Sequence, residues 1–248
     1  MDYQKLVDKK DYVQKNFEKI AIDLREKYEN DFKLNYNHHS TAIENNTITL
    51  KETKLILTGE LTNIDKNSRE INEIINHNQA FNYIKNCINE EKKLSEDIIK
   101  EIHRLLMKNI MMGSVYRMIN VFIPGAKYMP PSYDEAQEQL KQFYHKIKES
   151  KMNPIELAAY THTEFLKIHP FIDGNGRTSR LIMNYQLMSY GFLPINIKRV
   201  ERDEYYDLIN EYAISGDLNP FIKFIAAHEE EELDNNIKVI KKQEKATI

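Results

Sequence analysis

Thirteen consecutive residues, Ile168–Arg180 (IHPFIDGNGRTSR), hold a histidine, an acid, two glycines and two arginines. Pro170 ends the helix that carries His169, because the residue before a proline is pushed out of helical geometry. Gly174 and Gly176 let the backbone take positive φ and come close to a ligand. A new helix opens here, and the free N–H groups of its first turn make an anion site. Arg177 and Arg180 lie three apart, so they share one helical face beside that site. Guanidinium forks suit phosphate oxygens. Asp173 can hold a divalent cation against those oxygens, and His169 can take a proton from an attacking hydroxyl. Any one of these residues alone is more often structural; their joint order describes a polyphosphate cradle with a metal ligand and a base. The chemistry is phosphoryl or nucleotidyl transfer. No Gly-Lys-Ser/Thr follows, so this is not a Walker loop, and no His-Glu-x-x-His zinc helix occurs.

The elements that must position these groups read as helices. Apolar residues recur at helical spacing through most of the chain, and start signals repeat. Asn153 and Pro154 open the helix that ends at His169. Thr49–Glu52 and Ser132–Glu135 fit capping boxes. A helix begins at Ser95 with acids in its first turn, and another spans SREINEIINHNQAFNYIKNCI. The helix after the loop runs into Gly191, with Pro194 beyond. Residues 3–30 read as one amphipathic helix, RDEYYDLINEYAIS as another. The final stretch turns mostly charged, with Glu229–Glu232 expected on a solvated face. Pro124-Gly125 is a turn signal, and the apolar and β-branched residues around it predict a short hairpin, Met118–Ile123 with Ala126–Tyr128. The expected fold is all-α with one short β-hairpin.

Bulk properties agree. The 248 residues suit one large domain, with 41% hydrophobic and 29% charged residues. Net charge is −3 without a basic stripe, which argues against nucleic acid. Cys87 is the lone cysteine, so no internal disulfide forms. No stretch approaches the ~20 apolar residues of a membrane span, and the N-terminus has no signal-peptide core. A cytoplasmic protein without membrane contact is expected.

The loop matches, at every defined position, the Fic motif His-x-Phe-x-(Asp/Glu)-Gly-Asn-Gly-Arg-x-x-Arg. The resemblance to the Fic family runs from roughly Tyr36 to Asp234. It implies an autoinhibited, helical enzyme that transfers AMP from ATP to a Ser, Thr or Tyr hydroxyl of a protein. His169 would be the general base. Asp173 would bind Mg²⁺, or Mn²⁺, at the phosphates. Asn175 and the amides of Gly174 and Gly176 would hold phosphate oxygens, with Arg177. Arg180 would take the γ-phosphate. The hairpin would be the flap that aligns the target by strand-like pairing. The Doc branch, which phosphorylates its target, has lysine in place of the second motif glycine and lacks the last arginine; this chain has Gly176 and Arg180. The alternatives on this scaffold are other nucleotidyl, phosphocholine or phosphoryl transfer, removal of AMP, and ATP sensing without turnover. Self-modification and a homodimer are common in the family.

Ser40 and Glu44 are four apart and share a face if helical. The resemblance assigns Ser40, Glu44 and Asn45 to an inhibitory motif N-terminal to the core, in which Glu44 would pair with Arg180. The expected division is an N-terminal helical extension (1–35), a Fic domain (36–234) that begins with the inhibitory helix at about 36–46, and a charged tail (235–248). In relatives the stretch of Tyr205 and Tyr206 lines the adenine pocket, which makes Tyr206 a candidate ATP contact, with core packing the equal alternative. His162 reads as packing or as support behind the site rather than a metal ligand, His38 and His39 as solvent-facing, and Arg117 and Asn120 as residues that order the flap.

Overall fold

The computed structural model describes residues 3–60 and 66–246. Among them ten α-helices form: α1 (Tyr3–Phe17), α2 (Ile22–Ala42), α3 (Leu50–Thr58), α4 (Ser68–Asn89), α5 (Glu96–Leu106), α6 (Tyr133–Lys148), α7 (Pro154–Ile168), α8 (Asn175–Ser189), α9 (Arg202–Ser215) and α10 (Asn219–Ala246). A single 3₁₀ turn, Arg199–Glu201, precedes α9.

The start signals work as the sequence predicts. Thr49 and Ser132 close capping boxes with Glu52 and Glu135. Ser95 accepts from the amide of Ile98, and Asn153 from that of Ile155 ahead of Pro154. Gly191 takes positive φ just beyond α8.

The pair α7–α8 is the centre of the molecule. One apolar cluster joins it to α1, α9 and α10, and a second joins it to α4, α5 and α6. Almost every residue of α8 is therefore buried, including Arg177, Thr178, Ser179, Arg180, Asn184 and Gln186. Buried polar groups need partners, and these act as ties. Asn184 exchanges two hydrogen bonds with the backbone of Ile195, at 3.0 and 2.9 Å. Gln186 donates to Thr161.

Four expectations are revised. Residues 3–30 are two helices, because the chain turns at 18–21, where the amides of Lys19 and Ile20 bond back to Asn16 and Phe17 and Ile20 packs inward. No glycine or proline marks that break. The Pro124-Gly125 turn forms, with the Ala126 amide on the Ile123 carbonyl, but its arms build no ladder. Their backbone groups are used elsewhere: Arg117 takes the Ile119 carbonyl, and the Lys127 amide bonds Asn210 on α9. His38 and His39 are half-buried rather than solvent-facing, because α2 packs against the 3₁₀ turn. Finally, Glu229 is fully buried, one helical turn from Ile225 and from Leu233 in the core. Burial raises its pKa well above the carboxylate range, and it accepts from the Leu193 amide.

Three buried histidines, His77, His103 and His162, have depressed pKa values. Burial is the main cause in each, and it brings His103 to about 4 and His162 to about 3. The unfolded chain takes up these protons near pH 6.5, whereas the folded chain refuses them. Their stabilising effect is complete above that pH and is lost progressively as pH falls from there toward the folded pKa. Glu229 acts in the opposite sense, since its folded form keeps a proton that the unfolded form loses. His39 and His169, each lowered to about 4 chiefly by burial, add to the histidine side, so stability is expected to fall between pH 7 and 5.5. Urea midpoints at the two pH values test this; an unchanged midpoint would show that the histidines titrate normally.

Candidate active site

α7 ends with His169 in the left-handed region, φ 52°, its amide still bonded to Phe165. Arg117 holds this corner. Its Nε donates to the His169 carbonyl at 2.8 Å, Nη2 donates to the Pro131 carbonyl, and its amide donates to the Pro170 carbonyl. The Asn120 side chain accepts from the Tyr133 amide. Both residues therefore order the flap base, as expected. The His169 ring is half-buried, and its Nδ1 has no hydrogen-bond partner. Burial lowers its pKa to about 4, and the charge of Arg117 adds to this. The ring is neutral at pH 7 and able to accept a proton.

The loop from Phe171 to Gly174 is closed by Asn175. Its side chain accepts from the Phe171 amide at 3.0 Å and donates to the Phe171 carbonyl at 2.8 Å. The side chain of Asn175 is thus spent on loop shape, and what it leaves for an anion is its amide in the first turn of α8. Gly174 takes φ +78°, and a Cβ there would meet Met107 and His103 at 2.9 and 3.3 Å. His103 supports the loop from below. It stacks on Phe171 at 3.6 Å, accepts from the Ser114 amide, and donates through Nε2 to the Asp173 carbonyl. Its low pKa fixes this neutral donor–acceptor state.

Asp173 stands half-exposed at the loop mouth. Burial would raise its pKa, but Arg177, the Gly174 amide and Arg69 outweigh that and hold it below the usual carboxylate range. Arg69 on α4 is paired with Oδ2, and Arg177 lies 3.3 Å from Oδ1. Arg177 is buried between Asp173 and Glu73 of α4, also at 3.3 Å. Among the described residues no cluster of three or more His, Cys, Asp or Glu could hold a metal alone. One carboxylate beside an anion cradle does fit Mg²⁺, which keeps its waters and shares phosphate oxygens.

Arg180 makes four side-chain hydrogen bonds. Nε donates to Ser40 Oγ at 3.0 Å, Nη2 to the Ser40 carbonyl at 2.6 Å and to Glu44 Oε1 at 2.8 Å, and Nη1 to Tyr205 at 3.2 Å. Ser40 lies in the last turn of α2, and Glu44 in the turn just past its end. The residue after the glutamate, Asn45, has φ 69°. Asparagine and glycine tolerate that left-handed conformation best, which explains the choice of residue. The Glu44 carboxylate lies directly over Gly176: a Cβ there would come within 2.1 Å of Oε1. Gly176 therefore serves a close approach, and the oxygen of Glu44 occupies the space above the cradle.

Tyr205 is buried, with its hydroxyl against Arg180 and His162 Nε2. His162 stacks on Phe221, in the packing role expected of it. Tyr206 reaches Glu44 Oε2 at 3.4 Å and is covered by Arg202 at 4.9 Å. A pocket of about 570 Å³ opens between the flap turn, α9 and the loop; Glu44, His169, Gly176 and Tyr206 line it. The structure thus gathers His169, Asp173, Gly174, Gly176, Arg180, Ser40, Glu44 and Tyr206 at one centre. Asn175 and Arg177 brace it from inside. Arg69, Glu73 and His103 were not singled out from sequence. Arg69 and Glu73 carry the only signal, opposite charges four apart on a helix, and that pattern is usually a surface pair.

The class defined by these features is an all-helical domain whose two central helices meet at an anion loop, with a glutamate from an N-terminal helix seated over it. The Fic/DOC family model matches residues 93–187. The protein adenylyltransferase Fic of Nematostella vectensis is 36% identical over 203 residues, 79% of this chain and 47% of that protein. Its counterpart in Drosophila grimshawi is 35% identical over 202 residues, 79% of this chain and 41% of that one. A structure of Fic-1 from C. elegans superposes with a TM-score of 0.82 at 30% identity, covering 95% of this chain and 71% of that one. A Fic domain-containing signaling protein from Bacteroides thetaiotaomicron shares the fold, with a TM-score of 0.85, 24% identity and 96% coverage of both chains. The chain belongs to the Fic/DOC family. It spans about half the length of the curated relatives it matches. No described helix is long and apolar enough to cross a membrane.

Proposed function

We propose that this protein transfers AMP from Mg-ATP to a hydroxyl side chain of a protein, itself among the targets, and that Glu44 restrains the reaction. The observation that carries this reading is the pairing of Arg180 with Glu44 directly over Gly176.

With Glu44 displaced, the Arg180 N–H that it held turns to the γ-phosphate. The first-turn amides of α8 hold phosphate oxygens, and Arg177 places positive charge beneath them. Asp173 holds the Mg²⁺ that offsets charge on the phosphates. Tyr206 sits beside the adenine. His169 takes the proton of the target hydroxyl as its oxygen bonds to the α-phosphorus. The bond to the β-phosphate oxygen breaks, and pyrophosphate leaves. The flap presents Met118, Ile119 and Phe122 to solvent, and it aligns an extended target segment.

The position of the label tests the reaction class. A Glu44→Gly variant is incubated with ATP labelled at the α- or the γ-phosphorus. Label is expected on protein from α-labelled ATP alone. Transfer of γ-label would make the protein a kinase and overturn the proposal.

A further inference from the structure

A second cavity, of about 240 Å³, lies between α1, α2, α4, the end of α8 and α10. It shares no lining residue with the active-site pocket. The rings of Phe17, Tyr28, Phe32, Phe81 and Phe192 line its walls. Tyr28 and Phe32 are one turn apart on α2 and so face the same way. Phe17 meets Tyr28 edge-on at 6.4 Å, and Phe32 meets Phe81 at 6.1 Å.

The polar groups inside are mostly acceptors. Glu232 Oε2 accepts from the Tyr28 hydroxyl at 3.0 Å. Asn236, one turn further along α10, donates from Nδ2 to that same hydroxyl and to the Glu232 carbonyl. Its Oδ1 is left buried with no partner. Among the described residues no lysine or arginine is paired with Glu232, and burial raises its pKa. The nearby basic groups are already tied: Lys85 to Glu29 at 2.8 Å, and Lys198 and His228, which act on Glu232 from a distance, to Glu231 at 3.2 Å and Glu201 at 3.1 Å.

The Glu232 carboxylate in the cavity wall selects a ligand with charged N–H donors. Aromatic faces favour a cation as well. An anion would meet Glu232 and Glu29. A purely apolar ligand would take water from the Glu232 carboxylate and offer it no hydrogen bond in return, at a cost. We propose that this cavity binds a small primary ammonium on an apolar or aromatic stem, with Glu232 accepting from its N–H groups and the five rings enclosing the stem. The site is independent of the reading of the catalytic residues.

The test titrates the full chain with 2-phenylethylammonium and with 2-phenylethanol, its uncharged counterpart, by calorimetry and ligand-observed NMR at neutral pH. The ammonium is expected to bind about tenfold or more tightly than the alcohol. Glu232→Gln should remove that advantage, while Phe32→Ala weakens both probes. Equal affinities in the unmodified protein would overturn the proposal. So would an advantage that survives Glu232→Gln, or no binding of the ammonium at about 10 mM. The two-probe comparison needs no variant, so a folding defect in either substitution leaves it decisive.

Discussion

Glu44→Gly is expected to raise labelling by α-labelled ATP about a hundredfold over the unmodified protein. Glu44 occupies one arm of the Arg180 fork, at 2.8 Å, and covers Gly176. Arg180 itself is fully buried, whereas Glu44 is about one-third exposed, at 30%. Breaking a buried pair costs about 3 kcal/mol or more, and partial exposure brings this pair to the lower end of that range. A barrier difference of that size is about two orders of magnitude in rate. The substitution does not set Arg180 loose, because both Ser40 contacts and the Tyr205 contact remain. The fork stays aimed while one N–H of Nη2 becomes free. Thermal stability should nonetheless fall, by up to about 3 kcal/mol, because the same pair is lost from the fold. The readout is incorporated label per protein at matched Mg-ATP, with thermal melting alongside. Labelling no better than in the unmodified protein, on an intact fold, would remove Glu44 from the role of brake.

The anion loop was legible in sequence because each of its parts has a local cause. Pro170 stops a helix, Gly174 needs positive φ, and an unpaired first turn follows. None of these depends on a distant contact. The capping residues Thr49, Ser95, Ser132 and Asn153 were legible for the same reason. Ser40 and Glu44 were different. Their spacing alone suggests an ordinary polar face, and only resemblance gave them a role; the meeting with Arg180 spans 136 or more positions. What stayed hidden depends on tertiary packing. His103 looks like any half-apolar helix residue until Phe171 stacks on it. Arg69 and Glu73 look like a surface pair until α4 meets α8. The missing hairpin ladder has the same origin, since Asn210 of α9 competes for a flap amide across 83 positions. Glu229 was misread because a run of four acids hides the helical period that turns one of them inward.

His169→Ala in the Glu44→Gly background is expected to lower labelling by about 10²–10⁴-fold, the usual worth of a positioned general base. ATP affinity should stay within about twofold, because the phosphate site rests on the amides of α8 and on Arg180, not on the imidazole. That split separates loss of a base from loss of a folded pocket. A pH profile adds a second, independent check. With its pKa near 4, His169 is already the free base through the range where an ordinary histidine, near 6.5, would be half protonated. In the Glu44→Gly variant kcat/KM should therefore be flat from pH 8 to about 5, falling only toward the pKa of the buried ring. The series is read only where circular dichroism shows the fold intact, since the other buried histidines weaken it in acid. An acid limb centred near pH 6.5 would mean that His169 is not held in the buried, Arg117-facing position that makes it a base free of its proton at neutral pH.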